Sequence, residues 1–171
     1  MTLTTMREPP TIEVRTTRYG DPETVRVPEA AVLTFPDGLP AFERHHRFAL
    51  LQDARLAPFL WLQSLHDPLV GFLVIEPGLF VSDYEFDVAD PDVEALELND
   101  PSQALVLTIL SVPAAVRSMT ANLQAPLVIN PGKRLARQVI LTDERFPLRH
   151  PVFAHLDVES RVPARRRPCS Y

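Results

Sequence analysis

Pro101-Ser102-Gln103-Ala104-Leu105-Val106-Leu107-Thr108-Ile109-Leu110-Ser111-Val112-Pro113 is the stretch on which the fold turns. Residues 105–110 are apolar without a clear period, so they suit a buried strand or a buried helical segment equally. The prolines that bound the run, and the β-branched Val106 and Ile109 inside it, favour a strand. The longest charge-free apolar run in the chain, residues 104–116, contains it. It is too short to cross a bilayer, which takes roughly 20 residues.

The same argument extends outward. The chain has 18 prolines and only five glycines. Its longest proline-free intervals are 41–57 and 132–146. A proline inside a helix costs about 3 kcal/mol, so long helices are nearly excluded and short strands between turns are favoured. Ile12, Val14 and Thr16 alternate with Glu13, Arg15 and Thr17. Residues 48–51, 60–62, 127–129 and 138–141 are short apolar runs. Residues 69–75 are apolar on both faces apart from Gly71 and read as a central buried strand. Phe35-Pro36-Asp37-Gly38 has the residues of a type I turn. One short helix is expected at 92–96, with Asp90 as N-cap and Pro91 in the first helical position. Together these describe a mostly β fold, a small antiparallel β-barrel-like single domain with one short helix. The expected divisions are a flexible N-terminal extension at 1–11, the barrel domain at 12–153 and an Arg-rich C-terminal tail at 154–171.

Charge is unevenly placed. Of the net −5, the tail carries +2, from Arg161, Arg165, Arg166 and Arg167 against Asp157 and Glu159. The rest therefore carries −7, which is unsuited to direct nucleic-acid binding. Between Leu56 and Val116 there are ten carboxylates and no lysine or arginine. Within that stretch Asp83-Tyr84-Glu85-Phe86-Asp87-Val88 alternates strictly. On a strand this puts the three acids on one face, about 6.6 Å apart. Such a ladder attracts a cationic partner. It also serves simply to keep an exposed strand from aggregating edge to edge.

No nucleophile elbow, phosphate loop or dinucleotide fingerprint is present. The five histidines lack metal-ligand spacing, so neither a metal nor a cofactor is expected, and no catalytic residue is assigned. Cys169 is the only cysteine, so the fold has no internal disulfide. No signal peptide is evident at the start, and a cytoplasmic protein without a membrane contact is expected. Thr120, Asn122 and Gln124 alternate with Ala121, Leu123 and Ala125. The polar set could recognise a partner's backbone, although turn and buried-group satisfaction is the favoured role. Asn130, before Pro131-Gly132, reads as turn chemistry. Phe35, Phe42, Trp61, Phe72, Tyr84 and Phe86 read as core rather than as a docking groove. Arg149-His150 is expected to pair with the acidic stretch.

Several blocks carry a family resemblance. They are Thr34-Phe35-Pro36-Asp37-Gly38-Leu39-Pro40-Ala41-Phe42-Glu43, Phe59-Leu60-Trp61-Leu62-Gln63-Ser64, Phe72-Leu73-Val74-Ile75-Glu76-Pro77 and Asp83-Tyr84-Glu85-Phe86. The most specific is Met119-Thr120-Ala121-Asn122-Leu123-Gln124-Ala125-Pro126-Leu127-Val128-Ile129-Asn130. Arg137-Gln138-Val139-Ile140-Leu141 and Phe146-Pro147-Leu148-Arg149-His150-Pro151 follow. In this order they resemble the flagellar assembly factor FliW family, over about residues 12–153. The resemblance implies a non-catalytic β-barrel-like protein that binds flagellin in the cytoplasm. It also implies binding of CsrA, the RNA-binding repressor of flagellin translation, in competition with flagellin. With the charge argument it makes Asp83, Glu85, Asp87, Thr120 and Asn122 the candidate protein-binding residues, on a chain expected to be monomeric.

Overall fold

The computed structural model describes residues 8–154. The Arg-rich stretch singled out above, 161–167, therefore lies outside the described residues. The deciding stretch is a strand. Leu105–Ser111 forms β7 of the eleven strands found among the described residues, numbered in chain order. The other ten are β1 (Thr11–Tyr19), β2 (Asp21–Pro28), β3 (Val32–Thr34), β4 (Arg47–Leu51), β5 (Leu60–Ser64), β6 (Gly71–Ile75), β8 (Thr120–Ala121), β9 (Leu127–Asn130), β10 (Leu135–Gln138) and β11 (His150–Pro151).

Seven of these close into a barrel. The order β7-β6-β5-β4-β3-β10-β9 returns to β7 through pairing of β7 with β9. The mostly β, barrel-like reading is borne out, with one difference. The β3·β10 seam is parallel, through Leu135 opposite Thr34, whereas the other barrel pairings are antiparallel. Closure leaves the barrel strands no free edge to template aggregation.

The absence of a period in β7 has a physical cause, namely burial on both faces. Leu105, Leu107 and Ile109 join Phe35, Phe48, Leu62 and Leu127 inside the barrel. Leu110 faces outward into a second cluster with Ile75, Leu96, Leu123 and Phe146. Thr108 is also buried, and its hydroxyl donates to the Ile75 carbonyl. A third cluster fastens the β1–β2 hairpin over β4 and β5, through Val14, Val27, Ala49 and Leu51. Burying each such side chain contributes roughly 1.5–3 kcal/mol.

Two local expectations shift. The strand expected at 69–75 begins at Gly71, and Leu69 is 76% exposed. Leu69 is held in a turn by the Asp67 carboxylate, which accepts its N–H. The helix α1 (Asp90–Ala95) starts earlier than expected, so Asp90 and Pro91 are inside it. Ala89 occupies the cap position and no side chain caps the helix. The Phe35–Gly38 turn forms as expected. Gly38 donates to the Phe35 carbonyl at φ +68°, and a Cβ there would meet the Glu43 backbone at 2.7 Å.

Candidate functional site

The chain leaves β6 at Ile75 and crosses the outside of the barrel before α1. The alternating stretch lies on this crossing, and it is not a strand. Asp83 adopts φ +62°, a left-handed conformation incompatible with a β ladder. Its carbonyl accepts the N–H of Glu85, which closes the backbone locally. With the barrel shut, no barrel edge is open to pair with the crossing.

The alternation nevertheless has the consequence expected of it. Tyr84, Phe86 and Val88 turn inward onto the second cluster, while Asp83, Glu85 and Asp87 are exposed. The crossing is therefore a strap held by side chains. Tyr84 packs edge-on against Phe86 and Phe146, with ring centroids 5.3 and 4.7 Å away. Its hydroxyl donates to the Leu123 carbonyl at 2.6 Å. Burial pushes the Tyr84 phenol above its ordinary range.

Asp83, Glu85 and Asp87 line an open groove of about 810 Å3. The opposite wall is residues 139–145. It begins with Val139 and Leu141, whose N–H groups bond the Pro126 and Gln124 carbonyls on the barrel side. Both side chains are buried, whereas Ile140 between them is 73% exposed. The groove brings together five carboxylates, from Asp83, Glu85, Asp87, Asp92 and Asp143, and one guanidinium, from Arg145. Arg145 is engaged by Asp143, with Nη2 to Oδ2 at 2.6 Å. Those bonds hold the Asp143 carboxyl below the usual carboxylate range.

Some of the acidic stretch does find a cation from elsewhere in the chain. Arg137 bridges Asp92 and Asp37 at 3.2 Å each, and Lys133 pairs with Glu97 at 2.7 Å. Asp83, Glu85 and Asp87 have no ion-pair partner among the described residues. The expected pairing of Arg149 with this stretch is absent there too, because the 149–151 segment serves another purpose. His150 packs on Phe80, and β11 pairs with β8.

Thr120 and Asn122 do not line the groove. Thr120 lies in β8 opposite Ser111 and Pro151. Asn122 accepts the Ala125 N–H through its side chain, a turn role. Asn130 does more than shape its turn. It accepts the Lys133 N–H, and its buried amide donates to the Leu96 and Glu97 carbonyls at the end of α1. Sequence reading also missed the 139–145 wall, since nothing in three consecutive apolar residues marks Ile140 as outward. Among the described residues no group of three or more His, Cys, Asp or Glu is placed to hold a metal ion. No described helix is long and apolar enough to cross a membrane.

Comparison with known proteins agrees with the geometry. The model of the FliW protein family matches residues 13–152. A flagellar assembly factor FliW from Treponema denticola is 36% identical over 150 residues, which are 88% of this chain and 99% of that protein. One from Caldicellulosiruptor saccharolyticus is 38% identical over 84% of this chain and 92% of its own length. A crystal structure of the flagellar assembly factor FliW superposes with a TM-score of 0.74 at 36% identity, covering 82% of this chain and 96% of the other. By sequence across nearly the whole described body, and by its closed barrel, this chain belongs to the FliW family.

Proposed function

We propose that this chain is a non-catalytic, cytoplasmic regulatory protein that binds flagellin and antagonises the translational regulator CsrA. Free of flagellin, it captures CsrA and relieves repression, so synthesis of flagellin follows its export. Membership of the FliW family supports the role. The observation that carries the mechanism is the strap, whose Asp83, Glu85 and Asp87 line an open groove and have no ion-pair partner among the described residues. A groove of that sign attracts a basic RNA-binding protein and repels RNA. Exposed charge pairs contribute only about 0.2–1 kcal/mol each, so steering and specificity gain more than affinity does. Thr120 and Asn122, set apart from the groove, are a second contact surface in this reading. Calorimetry with purified flagellin and CsrA from the same organism tests it. Binding to each at micromolar protein is expected, with one displacing the other. Absence of binding to both refutes the proposal, and binding to flagellin alone reduces it to a chaperone role.

A further inference from the structure

We propose that the Arg-rich segment of this chain, within residues 155–171, occupies the acidic groove in cis.

The charge complement is specific to this pair of elements. The groove holds an excess of carboxylates, and its one guanidinium is already committed to Asp143. Beyond residue 159 the sequence contains Arg161, Arg165, Arg166 and Arg167 and not one acid. Like charges crowded in a groove raise the local concentration of any cationic segment nearby.

The tether leaves from the apolar cluster on which both groove walls rest. Val152 is buried and Phe153 half-buried in the apolar cluster that also holds Phe86, Val139 and Leu141, the underside of both walls. At about 3.3 Å per residue, Arg161 reaches roughly 23 Å from Ala154 and Arg165 roughly 36 Å. A body of this size has a radius of gyration of about 15 Å, so the whole groove is within range. A short tether of this kind gives a local concentration in the millimolar range.

The shape suits an extended occupant. Backbone groups of an extended chain alternate in direction, and Val139 and Leu141 spend theirs on the barrel side. Ile140 makes no backbone bond among the described residues, and its side chain is exposed. The wall thus offers an unspent edge and an apolar contact along with the charge.

Cys169, the only cysteine, allows a direct test on the full chain. A nitroxide attached there is expected to broaden the amide resonances of residues 83–88 and 139–142 in low salt. The broadening should vanish at about 0.5 M salt, where screening is strong, and in R165Q/R166Q/R167Q. A synthetic peptide of residues 159–171, added in trans, should bind that variant at least about threefold more tightly than it binds the unsubstituted chain. Broadening elsewhere, none at all, or equal peptide binding overturns the proposal. So does broadening that appears when a spin-labelled chain is mixed with an isotopically labelled, spin-free one, since the segment then reaches a second copy. None of these readouts uses flagellin or CsrA, so failure here leaves the partner titrations standing and failure there leaves the cis contact standing.

Discussion

The Tyr84 hydroxyl donates to the carbonyl of Leu123, 39 residues further along the chain, and so ties the acidic strap to the block that precedes β9. The strap has no ladder of its own. Its placement depends on this bond and on the rings of Tyr84, Phe86 and Phe146. Y84F keeps the ring and removes the bond. It is expected to cost about 1 kcal/mol in a denaturant titration and to speed hydrogen exchange across residues 83–88.

The same residue gives the protein an alkaline limit. Burial raises the folded-state pKa of Tyr84 above the unfolded value of about 10. The protonated phenol is therefore the form that folding favours. Its contribution is complete below about pH 10 and is lost as pH rises through the folded value. Stability of the unsubstituted protein, followed by urea titration, should fall between pH 9.5 and 11.5 more steeply than that of Y84F. Parallel curves would remove Tyr84 from the account.

Gly71 and Trp61 form a second dependent pair, under the β1–β2 hairpin. A Cβ on Gly71 would lie 2.6 Å from the Trp61 indole, and that indole donates to Gln63 at 2.9 Å. The ring cannot yield without losing this bond. G71A should therefore destabilise by about 1–3 kcal/mol, as overpacking does, and shift the fluorescence of the single tryptophan. In W61L the same glycine substitution should cost much less, a coupling that a double-mutant cycle measures.

Much of this architecture was legible in the chain. Proline spacing and the bounds of residues 101–113 were enough for a strand-built barrel, and the order of the motif blocks was enough for the family. The strap misled in one respect. Period-two alternation reports which side chains face inward, and that part held for Tyr84, Phe86 and Val88. It does not report whether a neighbouring edge is free, and here the barrel had closed without the strap. The partners of the acidic stretch were also invisible. Arg137 and Lys133 are 45 and 36 residues from Asp92 and Glu97, and only the fold brings them together. Asn130 was read from its Pro-Gly neighbour as a turn residue, because nothing local shows its reach to α1.

That reach has a measurable value. The Asn130 amide is the buried donor to the Leu96 and Glu97 carbonyls. N130A leaves both acceptors and the Lys133 N–H without it. A loss of about 1–3 kcal/mol is expected, with hydrogen exchange accelerated at residues 96–98 more than inside the barrel. Uniform acceleration would mean that the substitution disturbs the whole barrel.

The three acids without an ion-pair partner among the described residues make the last prediction, on kinetics. D83N/E85Q/D87N removes charge from the groove wall without touching Tyr84, Phe86 or Val88, which hold the strap. Thermal stability should stay within about 0.5 kcal/mol, as for surface substitutions generally. Association with CsrA should slow by about tenfold or more in low salt, while dissociation changes little, because steering acts on encounter. The difference should shrink toward about 0.15 M salt, where the Debye length is about 8 Å. Stopped-flow measurements across that range decide it. If both proteins associate at the same rate with the same salt slope, the carboxylates keep the surface soluble and the partner binds elsewhere.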